Sequence, residues 1–334
     1  RLVNAARGRG VVEFGTRRAH GAEAGLFAAR AAYIGGCVGT SNVEAGHLFG
    51  IPTFGTLAHS FVMSFEDEDH AFRAFLKVFP ETATILVDTY DTIAAVKRLA
   101  RSFGKSIPAI RLDSGDLCGL SKQARLILDD AGMTDTRIFA SGDLNEDRIA
   151  DLIARGAQID SFGAGTELAT SYDAPALSGV YKLAALLQDG RLSMRIKLSH
   201  DKATYPGPKQ VWRFSDKTGK YSHDVIALAD EEPPNSTSAD GCRPLCRPVM
   251  MQGQIVGGDF AGASGKLQSE KTTGDQKDKF AGLKRARDRA SEEVKHLPED
   301  LLALDSEATY PVSFSARLSD ERDRMEHQIA AKHR

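Results

Sequence analysis

The sequence predicts an α/β fold in which parallel strands and helices form a (β/α) barrel. Short apolar stretches of strand character alternate with amphipathic stretches of helical period over roughly 200 residues. The strand-to-strand spacing is about 25 residues, which is the length of a repeated strand–helix unit. Six or seven such units favour a closed barrel over an open sheet. In a barrel the active site lies at the carboxyl ends of the strands, so the polar residues that follow each strand define the candidate site.

The predicted strands share runs of apolar and β-branched residues bounded by turn residues. They are residues 10–15, 52–57, 83–88, 108–113, 136–140, 159–163 and 179–183. The predicted helices share apolar residues spaced three and four positions apart. They are residues 22–34, 42–49, 65–79, 91–104, 118–131 and 145–155. Asp91 and Asn145 stand at N-cap positions, and Gly132 and Gly156 stand where helices end.

Three parts are predicted along the chain. Residues 1–9 are interpreted as the end of an N-terminal segment that begins earlier, because they resemble the tail of a helix and no initiator methionine precedes them. Residues 10–190 form the barrel domain. Residues 191–334 show shorter alternating stretches, which are typical of a smaller antiparallel α+β region. A polar stretch around 257–291 is predicted to be a solvated insertion in that region.

Composition excludes several classes of function. With a formal net charge of -2, 42% hydrophobic and 26% charged residues, the chain shows no basic surface for nucleic acid. It has no apolar run long enough for a membrane span and no signal peptide pattern, so we expect a cytoplasmic protein. Its four cysteines are too few for a disulfide framework. Cys242 and Cys246 leave two interpretations open, zinc ligands or ordinary loop thiols, and the second is favoured because no histidine stands at ligand spacing.

Glycine-rich turns after two neighbouring strands predict a phosphate site. Residues 161–166 read Ser-Phe-Gly-Ala-Gly-Thr and follow a strand, and Gly142 with Asp143 stands one unit earlier. Such turns expose consecutive backbone N–H groups that can hold a phosphate monoester. The alternative is that these residues form plain tight turns.

Charged residues at other strand ends predict binding of a metal or a sugar. Asp113 and Asp116, with Asp88 one strand earlier, are suited to Mg²⁺ or to ribose hydroxyls. Arg111 is either a ligand-binding residue or a structural partner of these carboxylates. Arg17 and Arg18 follow the first strand, where a guanidinium can bind a carboxylate or a phosphate through two hydrogen bonds.

His59 is the histidine with the clearest functional position. It follows the predicted strand 52–57 at its carboxyl end, where an imidazole would face the mouth of the barrel. We expect it to act as a nucleophile or a general base.

Five motifs, taken in order, resemble the nicotinate phosphoribosyltransferases, a family of type II phosphoribosyltransferases. They are Glu13-Phe14-Gly15-Thr16-Arg17-Arg18-Ala19-His20-Gly21, Gly39-Thr40-Ser41-Asn42-Val43, Gly55-Thr56-Leu57-Ala58-His59-Ser60-Phe61, Arg111-Leu112-Asp113-Ser114-Gly115-Asp116 and Phe162-Gly163-Ala164-Gly165-Thr166. The resemblance is dense over residues 5–215 and resumes at 297–299 and 310–312. It implies an irregular α/β barrel with part of an open-faced sandwich domain.

The resemblance also implies an activity in NAD biosynthesis. Members of the family transfer phosphoribose from phosphoribosyl pyrophosphate to the ring nitrogen of nicotinate, which gives nicotinate mononucleotide and pyrophosphate. ATP hydrolysis is coupled through a phosphorylated histidine, and Mg²⁺ is the implied cofactor. The expected partners are therefore nicotinate, phosphoribosyl pyrophosphate and ATP, and a homodimer with shared active sites is implied.

By motif position, the resemblance assigns roles to individual residues. His59 matches the phosphorylated histidine, and His59, Arg111 and Asp113 are the implied catalytic residues. Asp113 and Asp116 match the residues that serve the ribose and Mg²⁺. The implied substrate-binding residues are Phe14 stacking on the pyridine ring, Arg17 beside pyrophosphate and nicotinate, Ser41, Asp116, and the phosphate cradle of Gly142, Asp143, Gly163, Gly165 and Thr166.

Ser41 bears on the choice of pyridine. Related nicotinamide enzymes have an aspartate after the equivalent Gly-Thr, and that aspartate would repel the carboxylate of nicotinate, whereas a serine hydroxyl can donate to it. Ser41 therefore favours nicotinate. The open alternatives are nicotinamide or quinolinate phosphoribosyl transfer, and a catalytically inactive barrel that binds a nucleotide or a partner subunit.

Overall fold

The computed structural model describes residues 1–104, 107–176, 179–198, 203–233, 241–256 and 281–332. These residues form two compact units. The described residues up to 176, together with 281–291, form the first unit, and the remaining described residues from 179 onwards form the second. The first unit thus ends before the predicted barrel limit at residue 190 and includes a stretch that the sequence assigned to the C-terminal region.

The first unit is built on six parallel strands in the order β2-β1-β6-β5-β4-β3. The strands are β1 (Gly10–Glu13), β2 (Gly39–Thr40), β3 (Thr84–Leu86), β4 (Ala109–Leu112), β5 (Arg137–Ala140) and β6 (Ser161–Ala164). Val11, Ile85, Ile110, Ile138 and Phe162 are buried in them. Nearly continuous apolar strands are expected where helices cover the sheet.

Residues 52–57, predicted as a strand, make only isolated backbone contacts. Thr53 bridges Thr40 at the β2 edge of the sheet, where Phe54 N–H also donates to Thr40 O at 2.9 Å. At the other edge, Leu57 N–H donates to Thr84 O of β3 at 3.1 Å. Pro52 has no N–H to give, which interrupts a regular ladder. The segment still connects both edges of the sheet, so the predicted fold class, an irregular α/β barrel, is confirmed.

Residues 179–183 do not form the predicted strand. Tyr181 in this stretch is 98% exposed. A β-branched and aromatic run needs a neighbouring strand to pair with, and none lies beside it in the described part of the chain.

Most helices of the first unit follow strands, and several of them begin at a residue whose side chain caps the helix. The helices of this unit are α1 (Leu2–Ala5), α2 (Ala22–Ile34), α3 (Val43–Phe49), α4 (His59–Met63), α5 (Glu68–Val78), α6 (Thr92–Ser102), α7 (Leu117–Asp130), α8 (Glu146–Ala154), α9 (Thr166–Thr170) and the start of α10 (Ala281–Lys295). Asp91 and Asn145 accept hydrogen bonds from Ala94 N–H and Arg148 N–H, which confirms both predicted N-caps.

Residues 281–291 form helix, although the sequence analysis assigned them to a solvated insertion. Leu283 is buried in a cluster with Leu26, Ala29, Ala45 and Ile51. A single apolar contact among many charged residues gives a weak periodic signal, so the sequence pattern did not predict this helix. Residues 257–280 of the predicted insertion lie outside the described residues.

The second unit contains a four-stranded sheet in the order β11-β9-β10-β14. Its strands and helices are β7 (Ala185–Gln188), β8 (Arg191–Met194), β9 (Lys209–Ser215), β10 (Tyr221–Leu228), β11 (Cys242–Pro244), β12 (Met250–Met251), β13 (Gln254–Ile255), β14 (Val312–Phe314), α11 (Glu299–Leu302) and α12 (Ala316–Lys332). The pairing of β9 with β10 and β11 is antiparallel, as predicted. None of the helices in the described ranges combines the length and apolar character needed to cross a bilayer.

Candidate active site

Arg111 ties together three loops at the carboxyl ends of the strands of the first unit. Its Nε donates to Ser141 Oγ at 2.7 Å, Nη1 donates to Thr56 Oγ1 at 2.6 Å, and Nη2 donates to Asp113 Oδ1 at 2.6 Å. The guanidinium carbon lies 5.7 Å from the centroid of the Phe14 ring. Two of the five guanidinium N–H groups remain for a ligand, and the other three fix their direction.

Asp113 is held in its ionised form by its neighbours. Burial, the largest single influence, raises the pKa of Asp113, but hydrogen bonds from Ser141 and Arg111 and the charge of Arg111 outweigh it and lower the pKa below its ordinary value. Both hydrogen bonds are made to Oδ1. The second oxygen, Oδ2, therefore carries negative charge towards the open side of the site.

His59 is the first residue of α4 and lies beside two carboxylates. Its Nδ1 is 3.1 Å from Thr89 Oγ1, and its Nε2 is 3.9 Å from Asp88 Oδ1 and 4.0 Å from Asp113 Oδ2. The side chain is 42% exposed. Thr89 orients the ring through one nitrogen, which leaves the other accessible to an incoming electrophile.

Asp88 presents a buried carboxylate oxygen that has no hydrogen bond within the described residues. Its side chain is 2% exposed, and its Oδ2 accepts hydrogen bonds from Asp113 N–H and the Ser114 hydroxyl. Its Oδ1 has no such partner. A buried carboxylate oxygen without a hydrogen bond is costly unless a cation joins it. Asp88 Oδ1 and Asp113 Oδ2 lie 3.9 Å and 4.0 Å from His59 Nε2, so both carboxylates suit a Mg²⁺ ion that takes its other ligands from water and substrate.

Asp116 is placed differently from Asp113. It is the N-cap residue of α7, and its Oδ1 is 3.5 Å from Arg155 Nη2. No group of three or more His, Cys, Asp or Glu side chains is arranged to hold a metal in the ranges that the structure describes. The pairing of Asp113 with Asp116 around Mg²⁺ therefore stays a prediction.

The predicted phosphate cradle consists of two turns that face the same strand ends. Gly142 has φ +101° and Asp143 has φ +47°. A Cβ on Gly142 would lie 2.1 Å from the carbonyl oxygen of Asp113, so only glycine fits there. The backbone N–H groups of Gly142, Asp143, Gly165 and Thr166 donate to no group among the described residues, which leaves them open to an anion.

Side chains brace both turns of the cradle. Arg148 Nη1 donates to the carbonyl oxygen of Asp143 at 2.8 Å, and Asn145 Nδ2 donates to Glu167 Oε2 at 3.0 Å. Arg18 Nη1 donates to Thr166 Oγ1 at 2.5 Å. These contacts keep the two turns at a fixed separation.

Gly163 lies within β6 and makes room for two aromatic rings. A Cβ on this residue would lie 2.8 Å from the Phe139 ring and 2.9 Å from the Phe14 ring. The two rings are 5.4 Å apart. Gly163 therefore sets the position of Phe14, the residue predicted to stack on a pyridine.

Arg17 and Ser41 are exposed at the ends of β1 and β2. Ser41 N–H donates to Glu13 O at 2.9 Å, and Glu13 itself is fully buried. The structure thus brings Phe14, His59, Arg111 and Asp113 together. It also places the two turns of the predicted phosphate cradle after the neighbouring strands β5 and β6.

The sequence analysis did not identify the residues that hold these groups in place. These residues hydrogen-bond to Arg111, to His59 or to the phosphate cradle, and they are Thr56, Thr89, Ser141 and Arg148. Thr56 and Ser141 stand within or beside quoted motifs, so their position at strand ends was a usable signal. Arg148 lies on a helix surface and gave none.

Comparison with known proteins agrees with the architecture. Residues 1–175 match the family described as quinolinate phosphoribosyl transferase, C-terminal domain, and residues 208–322 match the nicotinate phosphoribosyltransferase C-terminal domain. The human nicotinic acid phosphoribosyltransferase structure shares the fold, with a TM-score of 0.70 and 24% identity over 97% of this chain and 72% of that one.

Curated relatives extend over most of this chain. A nicotinate phosphoribosyltransferase of Mycobacterium tuberculosis is 42% identical over 99% of this chain and 66% of its own length. One from Bacillus subtilis is 48% identical over 69% of this chain and 50% of its own length. The chain thus spans between half and two thirds of the length of these relatives. On the strength of both units and of these identities, the chain belongs to the nicotinate phosphoribosyltransferase family.

Proposed function

We propose that the protein transfers the phosphoribosyl group of phosphoribosyl pyrophosphate to the ring nitrogen of nicotinate in NAD biosynthesis. The products are nicotinate mononucleotide and pyrophosphate. The observation that carries the proposal is Arg111, whose guanidinium is held by Thr56, Ser141 and Asp113 beside the Phe14 ring. That arrangement puts a fixed cation, an ionised carboxylate and an aromatic face at one group of strand ends.

The proposed chemistry needs negative charge near the ribose and positive charge near the leaving group. Displacement at the anomeric carbon passes through a state with oxocarbenium character, which an ionised Asp113 stabilises. The free N–H groups of Arg111 bind an oxygen of the pyrophosphate. The open backbone N–H groups of Gly142, Asp143, Gly165 and Thr166 bind the 5′-phosphate.

We propose Mg²⁺ as the cofactor, held by Asp88 Oδ1 and Asp113 Oδ2. The support is the unpaired buried oxygen of Asp88 beside an ionised Asp113. When bound, the ion neutralises charge on the diphosphate. Replacing Asp88 by asparagine should weaken Mg²⁺ binding measured by calorimetry in the presence of pyrophosphate.

We further propose that ATP phosphorylates His59 on Nε2 and that this couples ATP hydrolysis to transfer. The Nε2 atom attacks the γ-phosphorus, the bond from that phosphorus to the bridging oxygen breaks, and ADP leaves. The proposal is supported by the partly exposed His59 side chain and by Thr89 at Nδ1, which leaves Nε2 as the reacting nitrogen. A phosphoryl group there adds negative charge near Asp88 and Asp113, which strengthens the attraction for Mg²⁺.

Ser41 and Arg17 are proposed to select nicotinate, because both can donate to a carboxylate.

We also propose a homodimer with shared sites, which size-exclusion chromatography with light scattering would test. A monomer that retains full activity would contradict shared sites.

Quinolinate is the second candidate substrate. The observation in its favour is the match of residues 1–175 to the quinolinate phosphoribosyl transferase description. Quinolinate carries one more carboxylate than nicotinate and needs a further cation in the pocket. Of the residues near Phe14 and Arg111, Arg17 and Arg18 are the available cations, and Arg18 already bonds to Thr166.

The test is product formation from nicotinate, nicotinamide or quinolinate with phosphoribosyl pyrophosphate, with and without ATP. We expect nicotinate mononucleotide from nicotinate, stimulated by ATP, and loss of that stimulation in His59→Ala. His47→Ala, an exposed histidine on α3, is the matched control. Product from quinolinate alone would replace the proposed substrate, and no product from any pyridine would favour an inactive barrel.

A further inference from the structure

Glu13 is a buried charged residue to which the proposed reaction gives no role. Its side chain is fully buried at the end of β1. One carboxylate oxygen accepts a hydrogen bond from Gly15 N–H, and the other accepts one from Thr40 Oγ1 at 2.5 Å. The carboxylate therefore joins the loop after β1 to the end of β2.

The two connected loops carry the residues that the proposed function assigns to the pyridine. Phe14 and Arg17 lie in the first loop, and Ser41 lies in the second. Ser41 N–H also donates to the backbone oxygen of Glu13 at 2.9 Å. Both the side chain and the backbone of Glu13 thus fix the second loop relative to the first.

Both ends of this connection are anchored. A Cβ on Gly15 would lie 2.3 Å from Ala169 Cβ and 2.6 Å from the Gly165 carbonyl oxygen, so that loop has no room to shift. At the other end, Thr40 Oγ1 accepts from Asn42 N–H at 2.9 Å, and Asn42 caps α3. The β1–β2 pairing brings Glu13 and Thr40 side by side, and the Glu13 side chain then links the loops that follow them.

Stability alone does not account for a carboxylate at this position. Within the described residues Glu13 has no cation partner in an ion pair, and a buried charge without one opposes folding. Its two neutral donors offset part of that cost because hydrogen bonds to an ionised acceptor are short and strong. A carboxylate is the side chain that accepts from both donors at once.

We infer that Glu13, acting through Thr40 and Gly15, is a positioning residue that sets the distance between Arg17 and Ser41 and thereby the recognition of the pyridine carboxylate. The inference rests on the proposed function, because it assigns these two loops to nicotinate. It predicts a larger effect on nicotinate than on phosphoribosyl pyrophosphate, because Arg148 and Asn145, which lie in neither loop, also brace the phosphate cradle.

The experiment compares Thr40→Val, Thr40→Ser and Glu13→Gln with the wild-type protein. Thr40→Val keeps the shape of the side chain but removes the hydroxyl donor, whereas Thr40→Ser keeps the donor. For each protein we would measure KM for both substrates, kcat, the ratio of nicotinate to nicotinamide turnover, and the melting temperature. Product formation by the wild-type protein is measured in parallel. If the wild-type protein has no transferase activity, the proposed function itself fails, and the variants no longer test the role of Glu13.

We expect Thr40→Val and Glu13→Gln to raise KM for nicotinate by about tenfold or more, since small displacements of binding groups have effects of this size. KM for phosphoribosyl pyrophosphate should change less than about twofold, and Thr40→Ser should restore KM for nicotinate. Equal changes in both KM values, or none, would overturn the inference. The inference would also be overturned if Thr40→Val failed to fold while Thr40→Ser folded. In that case the hydrogen bond between Glu13 and Thr40 would act on stability.

Discussion

Asp113 owes its charge to a small number of neighbours. Ser141 and Arg111 both donate to Oδ1, and together they lower the pKa of the carboxyl despite its burial. The same contacts hold Arg111, so the two residues depend on each other. A substitution at either one disturbs both the proposed charge at the ribose and the proposed cation at the pyrophosphate.

Asp113→Asn should lower kcat by a factor of about 100 or more, because it removes charge that acts in the transition state. The amide keeps the size of the side chain but removes the charge that pairs with Arg111, so the melting temperature should also fall, and kcat is measured at a temperature where the variant is folded. Asp130→Asn, on the exposed end of α7, is the control. Steady-state kinetics on both variants checks this, and an Asp113→Asn enzyme with kcat near the wild-type value would exclude the catalytic role.

Among the elements, α10 is attached to the first unit through Arg287 as well as through the buried Leu283. Arg287 donates to the carbonyl oxygens of Tyr33, Gly36 and Cys37 at the end of α2, and its guanidinium carbon lies 4.4 Å from the Tyr33 ring centroid. Tyr33 lies in the last turn of α2, where carbonyl groups have few intrahelical partners, and Gly36 and Cys37 lie in the turn that follows it. Arg287 thus acts as a C-cap supplied by another helix.

Arg287→Ala should reduce the free energy of unfolding by about 2 kcal/mol, the typical loss for a charged hydrogen-bonded group. Arg287→Lys should recover little, because an ammonium cannot reach several carbonyls in a planar fork. Lys284→Ala, an exposed change on the same helix, should cost less than about 0.5 kcal/mol. Urea denaturation followed by circular dichroism would measure all three, and equal losses for Arg287→Ala and Lys284→Ala would refute the capping role.

In the second unit, Glu293 joins α10 to the sheet. It accepts hydrogen bonds from Tyr221 OH and Arg243 Nη2. Burial raises the pKa of Glu293, but the hydrogen bonds from Arg243 and Tyr221 outweigh it and lower the pKa below its ordinary value of 4.5. A lowered pKa in the folded state means that the contribution to stability is present above pH 4.5 and is lost as pH falls through the lowered value.

Glu293→Gln should therefore destabilise the protein at pH 7 and have a smaller effect at pH 3. The measurement is the urea midpoint of wild type and variant at both pH values. Glu307→Gln, an exposed change in the same unit, is the control. A difference in midpoint that stays constant between the two pH values would show that the charge of Glu293 is not involved.

Over the whole molecule, the sequence predicted the barrel because strand and helix patterns alternate, and these patterns depend on local periodicity. It predicted the groups at strand ends for the same reason. It offered a pairing of Arg111 with the nearby carboxylates as one alternative, but it could not predict that Thr56 and Ser141 also meet at Arg111, because these contacts join residues from different strands. Nor could the sequence show that Glu13 links the loops after β1 and β2. A glutamate in a motif has the same sequence pattern whether its carboxylate binds a ligand or holds two loops together.

The ring of strands has one weak seam. Residues 52–57 close it through a few single backbone hydrogen bonds, including those of Phe54 and Leu57, whereas β4 pairs with β5 along its whole length. Local opening is easiest where the fewest bonds must break. In hydrogen exchange, the amides of Phe54 and Leu57 should exchange before those of β4 and β5, and equal protection would contradict this. Because His59 follows the seam directly, we expect local opening of the barrel to begin beside its proposed phosphorylation site.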